Sequence, residues 1–312
     1  MPEEIENTDA LLKRLEWSVL RKLDGLIHGD YRTLFRGYGL DLADLREYKA
    51  EDEVRYIDWN VTARLQVPYV RQYNEEREVT AWFLLDTSPS IDFGSEERDK
   101  RSVLAGFVAV LARLLTMRGN RVGAILYSDR IDRVIPPRSG RVQVLHILES
   151  IRNRPDRKRS ESTDLGDFLQ KAGHILKRRS LLFVVSDFIS APGWSEPLSD
   201  LSRRHEALAI RLYDPLERNL PDLGLFLMQD SETGEQLLVD SNDPGFRKRF
   251  AELAESREAE LLDALAKAGV DTLELSTTDD LLESLIRFIE LRTYRSSRAG
   301  ARSLPGHMEA SL

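Results

Sequence analysis

The chain has 312 residues, 41% of them hydrophobic, no cysteine, and a formal net charge of −8. That length allows one large domain with an appendage, or two modest domains, around a sizeable core. The absence of cysteine excludes a disulfide scaffold, a thiolate metal site and a cysteine nucleophile, and the acidic balance argues against a protein that binds mainly by neutralising phosphates, so no nucleic acid is expected as partner.

The first residues, Met1-Pro-Glu-Glu-Ile-Glu, are acidic where a signal peptide would be basic and then apolar, so no export is expected and a cytoplasmic protein is the default. Leu11, Leu12, Leu15, Val19, Leu23, Leu26 and Ile27 follow helical spacing and predict a helix over 9–28 that buries one face on its own chain. Next come Tyr31, Phe35, Arg36, Tyr38, Arg46, Tyr48, Arg55, Tyr56, Trp59, Arg64, Tyr69, Arg71 and Tyr73. Aromatics mixed with arginines can stack bases. Here Asp41, Asp44, Glu47, Glu51, Asp52, Glu53 and Asp58 lie among them, and internal salt bridges explain the mixture better. Residues 1–79 thus read as an N-terminal α+β module.

From residue 80 the periodicities alternate. Strands are predicted over 80–85, 121–127, 131–135, 181–185, 207–213 and 271–275, with helices over 98–118, 142–151, 163–177, 194–204, 244–268 and 279–292. The most apolar stretch, 103–117, is shorter than the span of about 20 residues a bilayer needs and carries Arg113, so it reads as a buried helix and no direct membrane insertion is expected. Strands over 225–228 and 236–239 flank Asp230-Ser-Glu-Thr-Gly234, a hairpin signal. The expected fold is α/β, an open, mostly parallel, doubly wound sheet spanning 80–293, with a hairpin and helix inserted at about 214–270 and a disordered tail over 294–312. Such sheets bind ligands beyond the carboxyl ends of their strands, where the strand order reverses.

Asp86-Thr-Ser88-Pro-Ser90 directly follows the first apolar run, so a carboxylate and two serine hydroxyls crown a strand end. Thr163 opens an amphipathic stretch in Glu161-Ser-Thr-Asp-Leu165, and Asp187 ends a second apolar run. Mg²⁺ takes oxygen ligands in near-octahedral geometry and keeps several waters, so hydroxyls plus carboxylates acting through water suffice to hold it. Ser88 and Ser90 would bind directly, with Asp86 and Asp187 fixing a serine or a water in place. An ion held with so little negative charge stays electrophilic and accepts a carboxylate from another molecule. The competing reading is that Asp86 and Ser88 merely end a strand and cap the next helix. Ser162, Thr163 and Asp164 likewise read as helix-start residues. The joint order along alternating strands and helices favours the metal.

This pattern resembles the metal-ion-dependent adhesion site (MIDAS) of von Willebrand factor A (vWA) domains. The resemblance implies a Rossmann-like fold and a metal set of Asp86, Ser88 and Ser90 from a first loop, Thr163 from a second and Asp187 from a third, binding Mg²⁺, with Mn²⁺ or Ca²⁺ as substitutes. Many such domains have glycines before the threonine, whereas Glu161 and Ser162 stand here, and Ser162 competes as a ligand. Arg46-Glu-Tyr48, Asp52, Arg55-Tyr-Ile-Asp-Trp59 and Ala63-Arg64 resemble the domain-of-unknown-function-58 family, bacterial proteins with a vWA-type domain often encoded beside MoxR-type AAA+ ATPases. Glu51 stands where the family often has glycine. The resemblance implies that Arg46, Asp52, Arg55, Asp58, Trp59 and Arg64 brace the metal domain, with Trp59 buried, and that the partner is a MoxR-type AAA+ ATPase or its client.

Two function classes follow. One is a non-enzymatic adaptor whose ion docks an acidic group of a partner. The other is Mg²⁺-dependent phosphoryl transfer or hydrolysis, which needs directly bound carboxylates and a placed base. The five histidines, at 28, 146, 174, 205 and 307, form no pattern that supplies one. No Gly-x-x-x-x-Gly-Lys-Ser/Thr occurs, so the chain is not expected to bind a nucleotide. Arg152, Arg154, Arg157, Lys158 and Arg159 precede Thr163; they read as a solvated loop, or else as the approach for an acidic partner.

Overall fold

The computed structural model describes residues 44–49, 57, 59–72, 79–95, 98–153, 164–229 and 236–288. The expected helix over 9–28, the tail over 294–312, the turn at 230–235 and most of the basic loop lie outside them.

The described N-terminal part is α+β. Strands β1 (Asp44–Glu47) and β2 (Tyr69–Gln72) pair antiparallel, and the short helix α1 (Trp59–Leu65) lies between them in sequence. Its end is tied to β2 where the Tyr69 backbone N–H donates to Thr62 Oγ1 at 3.0 Å. Trp59 is 66% exposed and Arg64 is also exposed. This corrects the expectation of a buried bracing tryptophan. The aromatic is the first residue of a two-turn helix and faces solvent.

The main sheet has six strands: β3 (Thr80–Asp86), β4 (Arg121–Tyr127), β5 (Ile131–Arg138), β6 (Leu181–Ser186), β7 (Glu206–Tyr213) and β10 (Asp271–Ser276), in the order β10-β7-β6-β3-β4-β5. All neighbours are parallel except β4 and β5. Strand β3 alternates between two cores. Ala81, Phe83 and Leu85 face one, with helices α2 (Lys100–Met117), α3 (Arg141–Arg152) and the last described helix α7 (281–288). Trp82 and Leu84 face the other, with α4 (Leu165–Ile175), α5 (Ser195–Arg204) and α6 (Pro244–Ala268). Burial on both faces explains why β3 and β6 read as continuous apolar runs rather than alternating ones. Phe83 and Phe183 stack across the β3–β6 pair with centroids 5.1 Å apart, fixing the centre of the first core.

The sheet is thus the doubly wound, Rossmann-like α/β fold expected. From β3 the chain moves outward through β4 to β5, then returns to β6 on the opposite side of β3, so the winding reverses between β3 and β6. The carboxyl ends of those two strands flank the crevice where such sheets bind ligands. Between β7 and β10 stand the expected hairpin, β8 (Leu225–Gln229) paired antiparallel with β9 (Gln236–Asp240), and the 25-residue α6.

Candidate metal centre

The first loop leaves β3 at Asp86. Asp86 Oδ1 accepts from the Ser88 backbone N–H at 2.9 Å, curling the chain into a 3₁₀ turn, Pro89–Asp92. Ser88 occupies the N-cap position of that turn, but its hydroxyl caps nothing; Ser88 Oγ lies 3.0 Å from Ser90 Oγ. The capping reading therefore fails for Ser88. Two nearly fully buried hydroxyls converge on each other instead, an arrangement that serves oxygen ligation better than it serves the turn.

The third loop leaves β6, the parallel neighbour of β3. Ser186 Oγ donates to Asp86 Oδ2 at 2.7 Å and accepts from the Phe188 backbone N–H at 2.9 Å. Asp187 Oδ1 accepts from the Ile189 N–H at 3.0 Å, and its Oδ2 takes the Lys100 ammonium at 2.8 Å. Between these bonds the backbone turns left-handed at Phe188, φ 58°. That is costly for an aromatic residue, and packing of its ring against Trp194, centroids 5.0 Å apart, holds it there.

Asp86 and Asp187 are both buried and close enough to repel. Burial first, and the Asp187 charge second, push the Asp86 carboxyl up to about 6. Lys100 is fully buried at the start of α2, and its Nζ also reaches Glu217 Oε1 at 2.6 Å. Burial alone would lower its ammonium, but the Asp187 and Glu217 carboxylates outweigh that and hold it above its usual range. Glu217 closes a capping box with Asp214 at the end of β7. Asp214 in turn accepts from Ser95 N and Oγ, both at 2.9 Å, and from Thr277 Oγ1 at 2.7 Å. The loops after β3, β6, β7 and β10 are thereby bound into one polar cluster. Gly94 is required inside it: a Cβ there would lie 2.5 Å from Asp99 Cα and 2.6 Å from Arg98 O.

Of the five expected ligands, the structure brings Asp86, Ser88, Ser90 and Asp187 together; Thr163 and Ser162 lie outside the described residues. Their neighbour is anchored beside the site, since the Leu165 N–H donates to Ser190 Oγ at 2.9 Å. Asp164 caps α4 by accepting from Asp167 N at 3.0 Å. Among the described residues no cluster of three His, Cys, Asp or Glu side chains is set to hold a metal. The set here is of a different kind, two hydroxyls backed by two carboxylates. Asp86 is held by the Ser88 N–H and the Ser186 hydroxyl, which orient its carboxylate toward the serine pair, a role that suits a group acting on a hard cation through water.

Residues 44–260 match a family described as "Protein of unknown function DUF58". The chain belongs to that family. It is 35% identical over 298 residues to uncharacterized proteins of Mycobacterium bovis and Mycobacterium tuberculosis, covering 96% of this chain and 92% of each relative. Among solved structures it is similar to the conserved hypothetical protein BatB from Bacteroides thetaiotaomicron, at 14% identity and TM-score 0.45 over 69% of this chain and 99% of that one. A second is an aerotolerance-related membrane protein from Bacteroides fragilis, at 14% identity and TM-score 0.46 over 68% and 99%. No described helix of this DUF58 protein is long and apolar enough to cross a membrane.

Sequence reasoning missed Lys100, Ser186, Asp214 and Glu217 in this DUF58 centre. Three of them carried a signal. Asp214-Pro-Leu-Glu217 is a capping-box spacing directly after an apolar strand, and Ser186 immediately precedes Asp187.

Proposed function

We propose that this DUF58 protein is a non-enzymatic adaptor that holds Mg²⁺ at Asp86, Ser88, Ser90, Thr163 and Asp187 and docks an acidic group of a partner protein on that ion. The observation that carries the reading is the meeting of two buried hydroxyls with two mutually repelling carboxylates at the crevice between β3 and β6. Asp86, Asp187, Glu217 and Asp214 set four carboxyl groups against the single ammonium of Lys100, and a divalent cation would offset part of that negative surplus. Hydrogen bonds from Thr277, Leu216 and Ser95 outweigh burial and hold the Asp214 carboxyl below the usual range, so its negative charge is already stabilised by the protein's own donors. When bound, the ion would supply a Lewis-acidic position; the serine hydroxyls would hold it, and the carboxylates would orient its waters.

Surface chemistry near the site suits a protein better than a small anion. Phe93 is 38% and Ile189 59% exposed, each within a few residues of a proposed ligand. Exposed aromatic and aliphatic side chains beside the site offer a partner protein apolar area to bury. A MoxR-type AAA+ ATPase or its client is the proposed partner, in a bacterial assembly system. The Mg²⁺-dependent hydrolase is the second reading, and the buried Lys100 beside Asp187 is the observation that favours it, as a cationic stabiliser. Isothermal titration with MgCl₂ tests the adaptor site. Wild type binds, and Ser88→Ala and Ser90→Ala each weaken binding by about ten-fold or more with an unchanged metal-free melting temperature; unchanged binding in both variants removes the site.

A further inference from the structure

Lys100 is an expensive residue to keep where it is. A fully buried ammonium loses its hydration, and its two ion pairs return little net stability against an apolar replacement. It also stands at the first position of the 18-residue α2, where the helix dipole disfavours a cation. Its effect on the site is specific. With Oδ2 on the ammonium and Oδ1 on the Ile189 N–H, both oxygens of Asp187 are engaged by the protein's own donors.

We propose that Lys100 is a built-in competitor of the divalent ion: it holds Asp187 back from binding the ion directly and keeps the ion's affinity low enough for exchange and for docking of an outside carboxylate. This rests on the metal reading above. Glu217, reaching the same ammonium from the end of β7, acts with the opposite sign, because its carboxylate partly cancels the Lys100 charge and attracts the ion. The pair thus connects occupancy of the crevice to the loop from which the chain enters the β8–β9 hairpin and α6.

Titration of the full chain with MgCl₂ by calorimetry, and with MnCl₂ by the EPR signal of the free ion, compares wild type, Lys100→Met, Glu217→Gln and Ser88→Ala, each checked by thermal melting. Lys100→Met is expected to bind about ten-fold tighter and Glu217→Gln about three-fold weaker. Opposite directions are the signature of charge, since loss of loop order would weaken both. A folded Lys100→Met with equal or weaker affinity overturns the proposal. Should that variant not fold, Glu217→Gln decides alone, and unchanged or tighter binding overturns it. Wild-type binding that Ser88→Ala abolishes, with both charge variants unchanged, overturns this inference and keeps the metal reading. No binding of either ion by wild type overturns both.

Discussion

At the scale of single residues, a side chain's partners separate a structural role from a chemical one. His205 is structural. It is buried at the end of α5, its Nδ1 accepts from the Ser180 N–H at 3.2 Å, and its Nε2 has no hydrogen-bond partner among the described residues. Burial first, then the Arg204 and Arg179 charges, lowers its pKa below the ordinary 6.5. Above that value the ring is neutral in folded and unfolded chains alike. Below it the unfolded chain takes up a proton that the buried ring resists, so stability falls with pH until the folded-state value is passed. His205→Gln should therefore flatten the fall in melting temperature between about pH 7 and 5; an unaltered slope in that variant contradicts the assignment. Trp59 gives the reverse test. Being exposed, it can be changed to Ala with a shift within about 0.5 kcal/mol in urea unfolding, and a loss of several kcal/mol would show that it packs after all.

The same scale shows what could be read from the sequence. Asp86, Ser88, Ser90 and Asp187 were legible because each follows an apolar run, and strand ends in a doubly wound sheet converge at one crevice. Lys100 was not. Its partners lie 87 and 117 residues away, and a lysine at a helix start is ordinarily a solvated one. Trp59 was expected to be buried within a bracing module, whereas it opens a two-turn helix and faces solvent.

At the scale of elements, α6 was legible end to end, with Asp243 capping it, Pro244 in its first turn and Gly269 in the left-handed conformation after it. Strand β5 runs past the expected 131–135 to Arg138, through Pro136 and Pro137. As an antiparallel edge strand with register shifts against β4, it tolerates both. How α6 attaches was not legible at all. Arg211 on β7 makes a paired contact with Glu258 of α6, 2.5 Å at Oε2, and reaches Glu274 of β10 at 2.9 Å, while Arg218 joins Glu258 and stacks over Tyr213 at 4.5 Å. Removing the Glu258 carboxylate from this half-buried network leaves Arg211 with Glu274 as its remaining carboxylate. Glu258→Gln should cost about 1.5 kcal/mol in urea unfolding, and a cost below about 0.5 kcal/mol would mean that apolar contacts at Leu261 and Leu265 hold the helix by themselves.

At the scale of the whole molecule, one six-stranded sheet carries two cores on its faces and a polar cluster at its carboxyl edge. The net charge of −8 disfavours acidic partners at long range, so recognition of a carboxylate needs a local positive centre. In this account that centre is the ion between β3 and β6, rimmed by Phe93 and Ile189. The most direct measurement is affinity capture from native cell extract with wild-type and Asp86→Ala protein, each with Mg²⁺ and with EDTA, read by mass spectrometry. An AAA+ ATPase is expected to be retained by wild type in Mg²⁺ and lost in the other three arms. Identical catches in all four would contradict metal-dependent docking.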